Sequence, residues 1–217
     1  MADPESRAGH GYATPGILDW LHRLHSPHDA ALERAFDAPG RHGMPAIQLG
    51  PPEARLVELL LSLVKARRVV EIGTLAGYSA IRMARALAAE GRLWTIEADP
   101  KHAAVARESF EAAGLSDRVT VLEGAALGVL PSLEPHAPFD AVFVDADKGS
   151  YDKYGRWAAR TLRRGGLLLG DNAYLFGRLL EKSAEAVAMR RFHEEAARAF
   201  DTVCIPTPDG LLLGVKR

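Results

Sequence analysis

Two short segments carry side chains suited to hold a small hard cation and to move a proton beside it. Phe143-Val144-Asp145-Ala146-Asp147-Lys148 closes one apolar run, and Leu169-Gly170-Asp171-Asn172 closes the next. If the two runs are neighbouring strands, Asp145, Asp171 and Asn172 converge at one sheet edge. Two carboxylates and an amide oxygen make an all-oxygen set. Such a set suits Mg²⁺, or another divalent cation such as Mn²⁺ or Ca²⁺, and leaves positions for water or substrate. A vicinal diol could fill two of these and become more acidic there. Lys148 follows Asp145 by three residues and would stand over the same point. A phenol and a lysine have similar reference pKa values, about 10 and 10.4, and a nearby cation lowers both. Lys148 is therefore a candidate general base or phenolate stabiliser. The plainer alternative makes Asp147 and Lys148 a solvated loop pair and Asp171-Asn172 a helix cap.

A second constellation lies earlier in the chain. Val69-Val70-Glu71-Ile72-Gly73-Thr74-Leu75-Ala76-Gly77-Tyr78-Ser79 reads as a strand, a glycine turn and a helix start. Gly73 and Gly77 let the backbone approach a ligand beyond the strand's carboxyl end, where open α/β sheets bind. The next strand ends in Thr95-Ile96-Glu97, 24 residues past Gly73. One βαβ unit sets that separation, and a carboxylate there can accept both ribose hydroxyls of a nucleoside. A dinucleotide loop would read G-x-G-x-x-G; the pattern here is E-x-G-x-x-x-G. Glu71 would repel a pyrophosphate but suits a ligand bearing an amino or sulfonium cation.

The elements that must position these residues follow from periodicity. Apolar runs predict strands at 68–72, 93–97, 119–122, 139–145 and 166–170, with helices at 78–89, 101–113, 126–133 and 150–162 between them. Strands alternating with helices imply right-handed βαβ units and a mostly parallel sheet. A long helix over about 178–200 precedes two strands joined by Thr207-Pro208-Asp209-Gly210, a hairpin signal that makes the final pair antiparallel. Before the sheet, helical spacing appears at 17–25 and 29–36, ended by Pro39-Gly40. Pro51-Pro52 then opens a helix whose buried stripe is Leu56, Val57, Leu60, Leu61 and Val64. The stretch to about Pro15 is expected to fray. The organisation expected is one domain over 1–217, with 1–50 as a helical cap or dimer segment and 51–217 as the catalytic core.

Composition narrows the partners. The 217 residues are 47% apolar and 25% charged, with a net charge of −1, so no global field draws nucleic acid or an anionic membrane. No apolar run approaches the ~18 residues needed to span a bilayer. Cys204 is the only cysteine, which excludes an intrachain disulfide or a thiolate zinc site and favours a cytoplasmic location. His22, His25 and His28 recur at spacing three, but Pro27 interrupts them, so a solvated face is expected rather than a metal site. Trp20, Trp94 and Trp157 read as core or interface, and Cys204 as a small buried residue. The basic run 160–164 reads as a helix end.

With both constellations in view, the chain from about Met44 to Lys216 resembles class I methyltransferases of the catechol and caffeoyl-coenzyme A O-methyltransferase type. Glu71 to Arg85 is similar to that family's cofactor loop, while Phe143–Lys148 and Gly170–Asn172 are similar to its metal and catalytic motifs. The resemblance implies a doubly wound, Rossmann-like α/β fold with seven strands and an antiparallel C-terminal hairpin. It implies S-adenosylmethionine as methyl donor, a metal held by Asp145, Asp171 and Asn172, and Lys148 as catalytic base. It places Gly73 and Ser79 at the methionine part, Glu97 at the ribose, and Gly124 and Ala125 on the adenine side. Glu71, Leu75, Tyr78, Ala98 and Asp145 complete the implied cofactor contacts. The acceptor implied is a small aromatic diol, and the assembly a homodimer.

Two segments depart from the family pattern. Glu123-Gly124-Ala125-Ala126 lacks the acid many relatives carry after that glycine, which leaves backbone contacts to adenine. Ala173-Tyr174-Leu175-Phe176-Gly177 stands where relatives often show Leu-Trp-x-Gly; that loop borders the family's substrate pocket, so the acceptor can differ from catechol or caffeoyl-coenzyme A. Two rival readings compete with a methyltransferase: a nicotinamide-dependent dehydrogenase on the same half-fold, and a non-catalytic protein that keeps the cofactor pocket.

Overall fold

The computed structural model describes residues 4, 11 and 13–217. The expectation of a fraying N-terminal stretch therefore lies largely outside the described residues. Helix α1 (Pro15–His25) is capped by Thr14, and α2 (Ala30–Arg41) by Asp29, whose carboxylate accepts from the Leu32 N–H at 3.0 Å. Pro39 does not end α2, as Pro39-Gly40 suggested it would. It sits in the last turn, where few intrahelical bonds remain to be lost, and the helix runs on to Arg41. Helix α3 (Pro51–Leu63) starts on its two prolines and buries Ala54, Val57 and Leu61; Leu56, Leu60 and Val64 pack partly against them.

The alternating part follows: β1 (Arg68–Ile72), α4 (Tyr78–Ala86), β2 (Arg92–Glu97), α5 (Pro100–Ala112), β3 (Val119–Glu123), α6 (Ala126–Leu133), β4 (Phe139–Val144), α7 (Tyr151–Thr161) and β5 (Leu162–Gly170). Helix α8 (Ala184–Ala199) and the strands β6 (Phe200–Ile205) and β7 (Leu211–Lys216) complete the chain. The strands form one seven-stranded sheet in the order β3-β2-β1-β4-β5-β7-β6. Strands β1 to β5 pair in parallel, and β7 runs antiparallel to both β5 and β6. Two apolar layers cover the sheet. One joins α3 and α4 to Val69, Leu93, Ala141 and Leu169. The other joins α7 and α8 to Val70, Ile96, Val142 and Leu168. No helix among the described residues is long and apolar enough to cross a membrane.

Four expectations shift. Helix α8 begins at Ala184 rather than near Arg178, because the Ser183 hydroxyl accepts from the Ala186 N–H and caps it there. Strand β5 begins at Leu162, directly from α7, with a register irregularity opposite Phe139–Ala141 and Gly165 at φ 69°. The basic run thus ends a helix only in part: Arg163 lies in β5 and pairs with Asp140 at 2.6 Å. Cys204 is half-buried rather than buried, since β6 is the sheet's edge. Trp94 and Trp157 are in the core as expected, whereas Trp20 is exposed with Ile17 and Leu24 along α1.

Candidate active site

Register brings the candidate residues together. Ile72 lies beside Ile96 on one side and Val144 on the other, and Val144 lies beside Gly170. The residues just beyond continue the ladder: Gly73 N–H donates to Ile96 O at 3.0 Å, Asp145 N–H to Ile72 O at 2.8 Å, and Asp171 N–H to Val144 O at 3.0 Å. On the far side Gly124 N–H donates to Glu97 O at 2.8 Å. Residues remote in sequence are thereby held by backbone bonds along one sheet edge, so their positions follow from strand pairing. Gly73 is required at this crossing: its φ is 97°, and a Cβ there would stand 1.9 Å from the Asp145 carbonyl oxygen.

A cavity of about 880 Å³ opens over that edge. Gly73, Leu75, Tyr78, Ser79, Glu97, Ala98, Gly124 and Ala125 border it, and so do Asp145, Lys148 and Asn172. Glu71 and Asp171 do not. Glu71 is fully enclosed behind the wall, where Ser79 Oγ donates to its Oε1 at 2.5 Å and the Thr95 hydroxyl to its other oxygen. Expected as a direct ligand contact, Glu71 instead reaches the cavity through Ser79, because the strand's alternation turns its side chain beneath the helix start. Burial pushes its carboxyl up to about 8. Glu97 is held open: its Oε2 accepts from the N–H groups of Thr74 and Leu75 at 3.2 and 2.8 Å, and its Oε1 from Asp99 N–H at 3.0 Å.

At the other end, Lys148 Nζ donates to Asp145 Oδ1 at 3.0 Å and to the Tyr151 hydroxyl at 2.8 Å. Tyr151 is buried, and its hydroxyl lies 3.0 Å from Asp171 O and 3.2 Å from Val144 O. Asp171, also buried, has its carboxyl pushed up to about 7 by burial and by the Asp145 charge, offset in part by the Asn172 N–H and Lys148. Among the described residues no side-chain donor bonds that carboxylate. Asn172 adopts φ 52°, a left-handed conformation asparagine tolerates. Two neighbouring carboxylates short of positive charge, beside an amide on the cavity wall, fit a divalent cation. Among the described residues no three His, Cys, Asp or Glu side chains gather as metal ligands, so such a cation would depend on this pair and Asn172.

Several lining residues carried no sequence signal. Gln48 and Ile47 come from the linker before α3, His102 from α5, Tyr154 from α7 and Asp209 from the last hairpin, while Phe176 comes from the loop after β5 that the resemblance put beside the pocket. The three N-terminal histidines do not share a helix: His28 lies past the end of α1, and its Nε2 meets the Tyr78 hydroxyl at 2.8 Å. Its ring packs with Phe36 and Tyr78. Nearby, buried Arg82 ties Glu58 and the carbonyls of Ser26 and Pro27 to α4. The chain before the sheet is thus anchored on the helix that borders the cavity.

The O-methyltransferase family model matches residues 26–217 of this chain. The chain belongs to the O-methyltransferase family. Two relatives of this methyltransferase are named catechol O-methyltransferase. That of Niastella koreensis is 44% identical over 76% of this chain and 77% of its own length. That of Mycobacterium tuberculosis is 44% identical over 75% and 74%. Among solved structures, the O-methyltransferase from Bacillus cereus in complex with S-adenosylhomocysteine superposes with a TM-score of 0.89 at 33% identity, covering 93% of this chain and 97% of that one. TomG from Streptomyces achromogenes, an O-methyltransferase of tomaymycin synthesis in complex with S-adenosylmethionine, gives 0.88 at 36% identity, covering 93% and 96%. Membership of a class I methyltransferase family sets aside the dehydrogenase reading, in keeping with the missing third glycine.

Proposed function

We propose that this O-methyltransferase takes its methyl group from S-adenosylmethionine and passes it to one hydroxyl of a small aromatic vicinal diol, with a divalent cation such as Mg²⁺ at Asp145, Asp171 and Asn172. One observation carries the reading. A single cavity is bordered by Gly73, Ser79 and Glu97 and, beside them, by Asp145, Lys148 and Asn172. The first group suits a nucleoside with a charged amino-acid arm, and the second suits a hydroxyl about to lose its proton. The relatives named for catechol support the acceptor class.

Bound S-adenosylmethionine would supply a methyl group on a sulfonium, already a good leaving group, and the cation would raise the acidity of a hydroxyl beside it. The chain's own part is placement and proton handling. Glu97 offers its carboxylate to the ribose hydroxyls, kept in place by the Thr74, Leu75 and Asp99 amides. Ser79, backed by Glu71, faces the methionine arm. Gly124 and Ala125 border the adenine side through their backbone. Lys148 receives the proton of the acceptor hydroxyl, and Tyr151 and Asp145 hold its Nζ. The exposed Ile17, Trp20 and Leu24 of α1 give the assembly an apolar face on which a second copy can pair.

Mass-spectrometric detection of methylated product from a catechol, S-adenosylmethionine and Mg²⁺ tests the function. Cofactor binding without turnover of any catechol, hydroxycinnamate or flavonoid diol would leave a binding protein instead.

A further inference from the structure

We infer that His28 is a positioning residue for the methyl donor: by holding the Tyr78 hydroxyl it fixes the first turn of α4, and so sets donor affinity without touching the donor. This deepens the reading of the cavity as an S-adenosylmethionine site and rests on it. Helix α4 begins at the cavity edge, yet its N-cap is Gly77, at φ 86°, with no side chain to bond the free N–H groups of the first turn. The usual means of fixing a helix start is therefore missing at the edge where the ligand binds. Two tethers replace the cap. Ser79 is held from within the sheet by Glu71 at 2.5 Å, and Tyr78 from outside by His28, whose Nε2 lies 2.8 Å from its hydroxyl.

Tyr78 is buried and borders the cavity, whereas His28 is half-buried and does not border it. The tyrosine hydroxyl is thus spent on the histidine and not offered to a ligand. The rings of His28, Phe36 and Tyr78 pack mutually, with centroids 5.0 to 5.2 Å apart. Phe36 extends the contact to a second stretch of wall. Its carbonyl accepts from Gln48 Nε2 at 2.8 Å, and Gln48 borders the cavity.

The turn that carries His28 is stapled along one face of α4. Tyr78, Arg82 and Arg85 follow one another at spacings of four and three, which places them in one row on the helix. Arg82 donates to the carbonyls of Ser26 and Pro27 at 3.2 and 3.0 Å, and Arg85 pairs with Asp29 at 2.8 Å. The two arginines dock the turn between α1 and α2. Of these contacts, that of His28 alone reaches a residue on the cavity. Its loss leaves the turn docked but frees the start of α4, which cofactor binding must then order again.

Titration calorimetry with S-adenosylhomocysteine compares the parent with variants at His28, Tyr78 and Arg85. His28→Ala and Tyr78→Phe should each weaken binding about fivefold, the worth of one ordinary hydrogen bond. The double variant should bind no more weakly than either, since both changes remove the same bond. His28→Gln places an amide where Nε2 stands and should bind within about twofold of the parent. His28→Asn is one methylene shorter, falls short of the hydroxyl and should bind like His28→Ala. Arg85→Ala loosens the turn without touching Tyr78 and should also stay within about twofold of the parent. Parent-like affinity in His28→Ala, losses that multiply in the double variant, a glutamine no better than asparagine, or an equal loss in Arg85→Ala overturns the positioning role. If the parent itself does not bind S-adenosylhomocysteine, the cofactor reading fails and the role of His28 fails with it.

Discussion

Ser79 Oγ and Glu71 Oε1 stand 2.5 Å apart, with the glutamate fully enclosed and the serine on the cavity wall. The pair connects the interior of the sheet to the ligand site, and it has a consequence for stability. Burial raises the Glu71 carboxyl from its ordinary 4.5 to about 8. Between those values the folded protein keeps a proton that the unfolded chain releases. The contribution to stability is complete below about 4.5 and is lost as pH rises towards 8, at up to ~1.4 kcal/mol per pH unit. Glu71→Gln removes this titration. Its free energy of unfolding, taken relative to the parent's, should therefore increase from pH 5 to pH 8, measured by urea denaturation in chelator. A difference that stays constant with pH would show that Glu71 is ionised in the folded protein.

Glu97 differs from Glu71 in being open to the cavity while three backbone amides steady it. Glu97→Ala should weaken S-adenosylmethionine binding by about 1.5–3 kcal/mol, the range for hydrogen bonds to a charged group. Titration calorimetry with S-adenosylhomocysteine reads this directly. Affinity equal to the parent's would mean that the carboxylate serves only to order the Thr74–Leu75 turn.

The contrast between these two glutamates shows what a sequence discloses. Strands β1 to β4 were legible because parallel strands buried on both faces are continuously apolar and are punctuated by glycine turns. Once the strand order is fixed, Gly73, Glu97, Asp145 and Asp171 must emerge at one edge. The direction of a side chain at that edge was less legible: Glu71 reads as a ligand contact, yet it points beneath Ser79. Phe176 was legible only as part of a loop that the resemblance put beside the pocket, and Ile47 was not legible as a cavity residue at all. Their placement depends on loop backbone, with left-handed conformations at Asn172, Leu175 and Phe176 that no composition rule signals. The start of α8 was misplaced because the helical pattern from Arg178 continues smoothly, and only the Ser183 cap decides where the helix begins.

The Asp145–Asp171 pair predicts metal dependence. Chelation should abolish turnover and added Mg²⁺ restore it. Asp171→Ala should lose activity that excess Mg²⁺ recovers in part, since Asp145 and Asn172 remain. Full turnover in EDTA, with metal removal checked by elemental analysis, would show that the two carboxylates serve another purpose.

Lys148 and Tyr151 should behave as one unit. Lys148→Ala should lower the rate of methyl transfer by ~10²–10⁴-fold, the usual worth of general-base assistance, and leave cofactor affinity close to the parent's. The Tyr151 hydroxyl accepts from Lys148 Nζ while lying within hydrogen-bond distance of the carbonyls at the ends of β4 and just beyond β5. Tyr151→Phe removes that anchor, leaves the ring in the core, and exposes Lys148 to the pull of Asp145 alone. The expected result is a fall in kcat with little change in KM for either substrate. The decisive measurement is the double variant. If Tyr151 acts through Lys148, removing its hydroxyl in the Lys148→Ala background should cost little further rate, because the group it orients is already gone. If the two losses multiply in full, Tyr151 acts independently of Lys148, and its hydroxyl matters for joining the two strand ends. If Lys148→Ala alone turns over a catechol at the parent rate from pH 6 to 9, Lys148 is not the base and reverts to a partner of Asp145.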